Sequence, residues 1–297
     1  MTTIIDGKKV AAEIREELKK KCDWLKSVAL EVPGLVTILV GNNPASEAYV
    51  NSKAKACHEI GMRSIVEKLS EDISEANLLA LVQKYNTDET IHGILVQLPL
   101  PKHINEDKVI EAIDPKKDVD GFHPISVGNL VIGKDALLPC TPHGVVELLM
   151  RYKIPTDGKH VVVVGRSNIV GKPVANLLLQ KKEGANAIVT ICHSASKDIS
   201  YFTKQADILI AAIGKPNYIK ADMVKDGVVV IDVGINRVED TSEKKGYKLV
   251  GDVDYVEVSQ KASYITPVPG GVGPMTIAML LQNTFLAYIK MTNQKLK

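Results

Sequence analysis

Two continuous β-branched and aliphatic runs, Leu35 to Val40 (LVTILV) and Val161 to Gly165 (VVVVG), constrain this chain more than any other feature. A strand with one wet face alternates apolar and polar residues. A strand apolar at every position is covered on both faces, as in a parallel sheet with helices on either side. The flanking sequence agrees. Lys8 to Ser27 carries Val10, Ile14 and Leu18 at helical spacing, continued by Cys22 and Leu25, and reads as an amphipathic helix. After LVTILV the break Gly41-Asn42-Asn43-Pro44 leads into a predicted helix from Ala45 to Ile60, with Gly61 past its end. A strand at Arg63 to Leu69, a helix from Ser74 to Tyr85 and a strand at Gly93 to Gln97 continue the alternation, which implies parallel pairing.

From Lys117 to Pro142 periodicity fades into a stretch rich in glycine and proline. A domain junction is expected near its end, giving domains of 1–141 and 142–274, with a closing helix of about 275–297 returning to the first. The second half predicts a helix at Pro142 to Tyr152, the VVVVG strand, a helix from about Gly171, a strand at Ala187 to Cys192 and a helix at Ile199 to Gln205. Strands at Asp207 to Ile213 and Gly227 to Val233 follow. This is the order of a doubly wound nucleotide-binding half, and the fold class expected is α/β with a Rossmann-type second domain.

At 297 residues there is length for two domains, and the balance of 37 basic against 35 acidic side chains leaves no obviously cationic arm or face. A nucleic-acid polyanion is therefore not the expected partner. No segment reaches the roughly 18 consecutive apolar residues of a membrane span. Cys22, Cys57, Cys140 and Cys192 are scattered, without zinc spacing, so no metal is expected and the thiols read as reduced. A cytoplasmic location is the expectation, although a cleaved organelle presequence would leave no trace.

In the turn after VVVVG, the sequence GRSNIVGKP spaces its glycines as G-x-S-x-x-x-G, with Ser167 and Asn168 near where a dinucleotide fingerprint has its second glycine. The pattern suits either a pyrophosphate at a helix amino terminus or a plain tight strand-helix turn. At the end of the next strand, Cys192-His193-Ser194-Ala195-Ser196 contains no carboxylate. A carboxylate there would hold the ribose diol of NAD, whereas the extra phosphate of NADP needs a cation, for which Arg166 is well placed, with Ser194 as a further donor. NADP is the expected cofactor.

Tyr49-x-x-x-Lys53 puts two side chains one helical turn apart, with Ser46 on the same face. Short-chain dehydrogenases use this spacing after their glycine loop, but here it precedes Gly165 by more than a hundred residues. From this stretch alone a solvated lysine is as good a reading as a catalytic one. Likewise Gln97 could be a polar strand-end cap, and Asp118-Val119-Asp120-Gly121 a plain turn. The run PGGVGPMT lacks the lysine that a Walker A loop requires.

Taken together, SEAYVNSK, GILVQLPLP, DVDGF, GRSNIVGKP and PVPGGVGPMTIAMLLQNT resemble the bifunctional methylenetetrahydrofolate dehydrogenase/methenyltetrahydrofolate cyclohydrolases, and the likeness runs from IIDGKKVA to the last helix. The resemblance implies NADP-dependent oxidation of 5,10-methylenetetrahydrofolate, hydrolysis of the product to 10-formyltetrahydrofolate, a homodimer, a place in purine biosynthesis, and an active site in a cleft between the domains. A dehydrogenase lacking the hydrolase activity is the alternative. It implies that Tyr49, Lys53, Gln97 and Asp120 are catalytic, and that folate is bound by these with Leu98, Pro269, Gly270, Gly271 and Gly273. It places the cofactor against Gly165, Arg166, Ser167, Ile169, Gly171, His193, Ser194, Gly214 and Ile235. Lys53 is the candidate for a single amine acting first as base and then as acid in the hydrolysis, with Gln97 holding it by a neutral hydrogen bond. Tyr49 would offer a flat face to the pterin and Asp120 a paired acceptor for its NH donors.

Overall fold

The structure, a computed structural model, describes residues 1–243 and 246–294. In chain order it comprises β1 (Thr3–Ile4), α1 (Gly7–Ser27), β2 (Gly34–Val40), α2 (Pro44–Glu59), β3 (Arg63–Leu69), α3 (Glu75–Thr87), β4 (Gly93–Val96), α4 (Glu106–Ala112), α5 (Pro124–Val131) and α6 (Cys140–Arg151). It continues with β5 (His160–Val164), α7 (Gly171–Leu179), β6 (Ile188–Cys192), α8 (Ile199–Thr203), β7 (Ile208–Ala211), β8 (Val229–Asp232), β9 (Asn236–Glu239), β10 (Tyr247–Val250), α9 (Tyr255–Val258), β11 (Tyr264–Ile265) and α10 (Val272–Thr292). Two compact units result: Ala12–Cys140 with the residues from Ile277 onward, and Met1–Ala11 with Thr141–Thr276.

The unit built on Ala12–Cys140 contains a parallel sheet in the order β3-β2-β4. All seven residues of β2 are buried, which is why its sequence shows no alternation. One face packs Val36, Ile38 and Val40 with Ile94 and Val96 against Leu78, Val82 and Tyr85 of α3. The helices begin where capping side chains allow. The Asn43 side chain accepts from the Ala45 and Ser46 amides ahead of α2, Ser74 from Asn77 ahead of α3, and Asn105 from Lys108 ahead of α4. Within the stretch read as aperiodic, α5 forms because Pro124 stands in its first turn and His123 Nδ1 accepts from the Ile125 amide. Its centre carries Gly128, which masked the helical period in the sequence.

The second unit holds a six-stranded, wholly parallel sheet in the order β1-β11-β8-β7-β5-β6, covered on one side by a core that includes Val162, Val164, Leu209, Val230 and Ile265. The assignment of residues 1–141 to one domain requires correction. The first eleven residues belong to this sheet unit, because β1 adds to its edge: the Thr3 amide donates to Ser263 O and the Ile5 amide to Ile265 O, both at 2.8 Å. A two-residue strand is too short to show a period. The antiparallel pair β9-β10 also went unread, since neither strand is buried throughout. The closing helix α10 starts at Val272, three residues before the expected Met275, with Pro274 in its first turn where an amide hydrogen needs no partner. It is long and apolar enough to cross a membrane by composition, yet most of it is buried, and an all-round apolar helix is what a protein core requires.

Candidate active site

In the Ala12–Cys140 unit, α2 carries Lys53 on its buried side, with the side chain only 9% exposed, while Tyr49, one turn earlier, is about half exposed at 51%. The carboxyl end of β4 supplies the partner. Lys53 Nζ donates to Gln97 Oε1 at 3.0 Å. Gln97 is itself fixed twice: its amide hydrogen bonds Ile38 O at 2.8 Å, and its side-chain Nε2 donates to Leu98 O at 2.7 Å. With the NH2 group committed to Leu98, the amide oxygen is the atom left to face the amine. The peptide between Leu98 and Pro99 is cis.

Asp120 reaches the same region because the chain before it runs alongside β4. The Ile94 amide donates to Lys117 O at 2.8 Å, and Ile94 pairs with Asp118 in a parallel bridge. The two aspartates of DVDG then diverge in role. Asp118 is buried and accepts from the Gly121, Phe122 and His123 amides, so it is the turn-former. Asp120 is left partly exposed, and its one side-chain neighbour among these bonds is the Cys140 thiol, 3.9 Å away. Burial pushes the Asp120 carboxyl above the usual carboxylate range, the nearby Lys53 charge pulls it back, and Asp118 adds to the rise. Burial likewise holds the Cys140 thiol well above its ordinary value, which keeps it a neutral donor.

One contributor escaped the sequence reading. Asn283 of α10 is buried and its Nδ2 donates to Val119 O and Leu138 O, each at 2.8 Å, so it clamps the peptide adjoining Asp120. An amide in the middle of the apolar run MLLQNTFLAY was the available signal, since a buried polar side chain must find partners.

In the sheet unit the glycine turn between β5 and α7 is built for close approach. Gly165, at φ +142°, receives no side chain without overlap on Ala212 O, and a Cβ on Gly171 would overlap Gly165 O. Ser167, where a second glycine is usual, turns its hydroxyl oxygen to the Val170 and Gly171 amides at 3.2 and 3.4 Å. Its hydroxyl hydrogen stays free to rotate toward an incoming oxygen. Arg166, Ser167 and Ile169 are exposed. After β6, the His193 amide donates to Ser196 Oγ and His193 Nδ1 accepts from the Ala195 amide, a tight turn that leaves Ser194 exposed. The first carboxylate beyond that strand, Asp198, is engaged in capping α8 through the Tyr201 amide at 3.0 Å. These residues fit a dinucleotide: the cradle is one that a Cβ would fill, and the strand end that would hold a ribose diol carries none of the anions that would repel an additional phosphate.

Gly214, at φ +71° with open space where a Cβ would lie, and Ile235, half exposed, follow β7 and β8 of the same sheet. The run Pro269, Gly270, Gly271 and Gly273 also belongs to this unit and not to the one holding Lys53. Lys8 donates its amide to Gly270 O at 3.1 Å, a Cβ on Gly7 would overlap Gly271 O, and one on Gly273 would stand 3.5 Å from Ile235 Cδ1. The predicted residues thus fall into two groups: Tyr49, Lys53, Gln97, Leu98 and Asp120 in one unit, and the cofactor set with the proline-glycine loop in the other.

Comparison with known proteins bears on both groups. The family model described as the tetrahydrofolate dehydrogenase/cyclohydrolase catalytic domain matches residues 5–120, and the NAD(P)-binding domain of the same family matches residues 139–292. The bifunctional protein FolD of Pelodictyon phaeoclathratiforme is 60% identical over 292 residues, covering 98% of this chain and 99% of that protein. The crystal structure of the bifunctional methylenetetrahydrofolate dehydrogenase/cyclohydrolase from Campylobacter jejuni is 54% identical with a TM-score of 0.92, over 98% of this chain and 99% of that one. The Trypanosoma brucei dehydrogenase-cyclohydrolase, solved with NADP and an inhibitor, is 39% identical with a TM-score of 0.92, over 99% of each chain. With residues 5–120 and 139–292 matched in order by the two domains of one family and a 60% identical relative covering nearly the whole chain, the chain belongs to the tetrahydrofolate dehydrogenase/cyclohydrolase family.

Proposed function

We propose that this chain oxidises 5,10-methylenetetrahydrofolate with NADP and hydrolyses the resulting 5,10-methenyl compound to 10-formyltetrahydrofolate, using Lys53, Gln97, Asp120 and Tyr49 for the folate chemistry. The observation that supports this most is the buried Lys53 amine held 3.0 Å from an amide oxygen instead of a carboxylate. The neutral amide orients the amine without adding a charge of its own that would hold it as ammonium.

Bound NADP supplies the hydride acceptor. Gly165, Arg166, Ser167, Ile169 and Gly171 would hold its phosphates, Arg166 and Ser194 the additional phosphate, and Gly214 and Ile235 its nicotinamide side. Loss of hydride from the bridging methylene leaves a cation shared by two nitrogens, so this step asks the protein for position more than for acid or base. The hydrolysis asks for proton movement. Lys53 takes a proton from the water that adds to the methenyl carbon and returns one to the ring nitrogen as its bond to that carbon breaks, while the carbinol hydroxyl gives its remaining proton to solvent, leaving the formyl group on the other nitrogen. Asp120 accepts paired NH donors of the pterin. It does so best as a carboxylate, and the Lys53 charge opposes the burial that would protonate it.

The reading extends to a homodimer that serves one-carbon supply for purine synthesis in a reducing cytoplasm, a setting in keeping with four buried, unpaired cysteines. No nucleic acid or membrane enters the proposed chemistry. The test is to incubate the purified protein with methylenetetrahydrofolate and either NADP or NAD, following methenyl and formyl products together. Both products should form, with NADP preferred. A tenfold or greater preference for NAD would overturn the cofactor assignment, and methenyl product without formyl product would leave a dehydrogenase alone.

A further inference from the structure

Two buried aspartates of the sheet unit have no part in the chemistry above. Asp232 ends β8 at 3% exposure and Asp252 lies in the turn after β10 at 0%. Asp232 Oδ1 accepts from the Gly234 amide at 2.9 Å and the Asp252 amide at 3.0 Å, and Oδ2 from the Val253 amide at 2.9 Å. Asp252 Oδ2 accepts from the Ile213 and Gly214 amides at 2.7 and 2.8 Å, and Oδ1 from Asn236 Nδ2 at 2.9 Å. Among the described residues these partners are all N–H groups of the backbone or of an amide. Room for the pair is made by the chain itself, since a Cβ on Gly234 would overlap the Asp252 carboxylate and one on Gly251 the Asp232 carboxylate.

Burying two neighbouring carboxylates is unfavourable before hydrogen bonding offsets it, and a turn alone can be closed by neutral side chains. What the pair accomplishes is to tie together the loop after β7 (Ile213, Gly214) and the loop after β8 (Gly234, Asn236). These loops stand at the carboxyl ends of adjacent parallel strands, where such sheets bind ligands, and they carry Gly214 and Ile235. We propose that Asp232 and Asp252 are positioning residues for the dehydrogenase step, setting the relative placement of the two loops that border the nicotinamide of NADP. This rests on the function proposed above, and it separates the two activities: hydride transfer requires the alignment, and hydrolysis of the methenyl compound does not.

The experiment uses Asp252→Asn in the full chain. The asparagine has a single acceptor oxygen for three donors and would set its NH2 against Asn236 Nδ2 or against the Ile213 and Gly214 amides. Oxidation of methylenetetrahydrofolate at saturating NADP should fall by about 10²-fold, the effect of a misplacement near 1 Å. The deuterium isotope effect on kcat should rise as hydride transfer becomes rate-limiting. The Kd for NADP should stay within about threefold, and hydrolysis of methenyltetrahydrofolate supplied directly within about twofold. Asn236→Ala, at a half-buried position, removes one donor with less risk to folding and should reduce hydride transfer by about tenfold with the same selectivity. Unchanged hydride transfer in both variants, or equal losses of both activities, would overturn the proposal. So would a loss of oxidation that higher NADP restores. Wild-type protein with no NADP-dependent oxidation would instead refute the function on which it rests.

Discussion

The two units assemble their sites from different materials. Around α2 and β4 the working atoms belong to side chains, an amine, an amide and a carboxyl, each set by one or two hydrogen bonds. Around the six-stranded sheet they belong largely to the backbone: glycines that permit close approach, and amide hydrogens gathered by Asp232 and Asp252. A side-chain site fails one function at a time, because an amine can be deleted while its scaffold persists. A backbone site has no such separability, since altering it means moving the chain.

The sharpest test of this contrast is Gly165→Ala. The new methyl group overlaps a main-chain oxygen and the residue is held at a φ that alanine avoids. The two penalties, each about 1–3 kcal/mol, should together abolish NADP binding in a titration and lower Tm. Retention of wild-type affinity would show that the turn has slack and blur the distinction.

A smaller effect comes from the buried pair. Burial pushes the Asp232 carboxyl from 3.8 up to about 7, with Asp252 adding to the rise. The folded protein therefore keeps a proton that the unfolded chain releases. Its contribution to stability is full below about pH 4 and is lost as pH rises toward 7, a change of about 4 kcal/mol. Denaturant unfolding of wild type and Asp232→Asn across that window should show the wild type losing ground as pH rises. Parallel curves would mean that the carboxylate is stabilised by its amide donors far better than its burial suggests.

On the side-chain half, Asp120→Asn replaces a paired acceptor for pterin NH groups with a single oxygen. Loss of a charge-assisted hydrogen bond, about 2 kcal/mol, should raise the folate KM of both activities by roughly 30-fold while NADP affinity holds. Weakened NADP affinity would erase the division between the units. Least of all, Ser74→Ala removes the cap of α3 and should cost about 1 kcal/mol of stability with no change in either activity, confirming that scaffold and site in this unit separate.

Much of this was legible in the sequence because single forces dominated. LVTILV and VVVV show no alternation of apolar and polar residues because both faces of β2 and β5 are covered, and Asn43, Ser74 and Gly171 mark helix starts by local geometry alone. The rest depends on tertiary placement. DVDG contains two aspartates of the same type two residues apart, and only the run of the chain beside β4 makes one a turn-former and the other a partly exposed acceptor. The β1 strand takes its partner from some 260 residues away in sequence, and neither Asp232 nor Asp252 has any local feature that announces burial. Asn283 lay in plain view, an amide within an apolar helix, but its target peptides are named only by the fold.

The central claim is that the Lys53 amine moves the protons of hydrolysis and is dispensable for hydride transfer. Lys53→Met, assayed separately with methenyltetrahydrofolate and with methylenetetrahydrofolate plus NADP, tests it most directly. The account predicts that hydrolysis falls by about 10²–10⁴-fold while NADP-dependent oxidation remains measurable. Survival of both activities at comparable levels, or loss of both together, would contradict it.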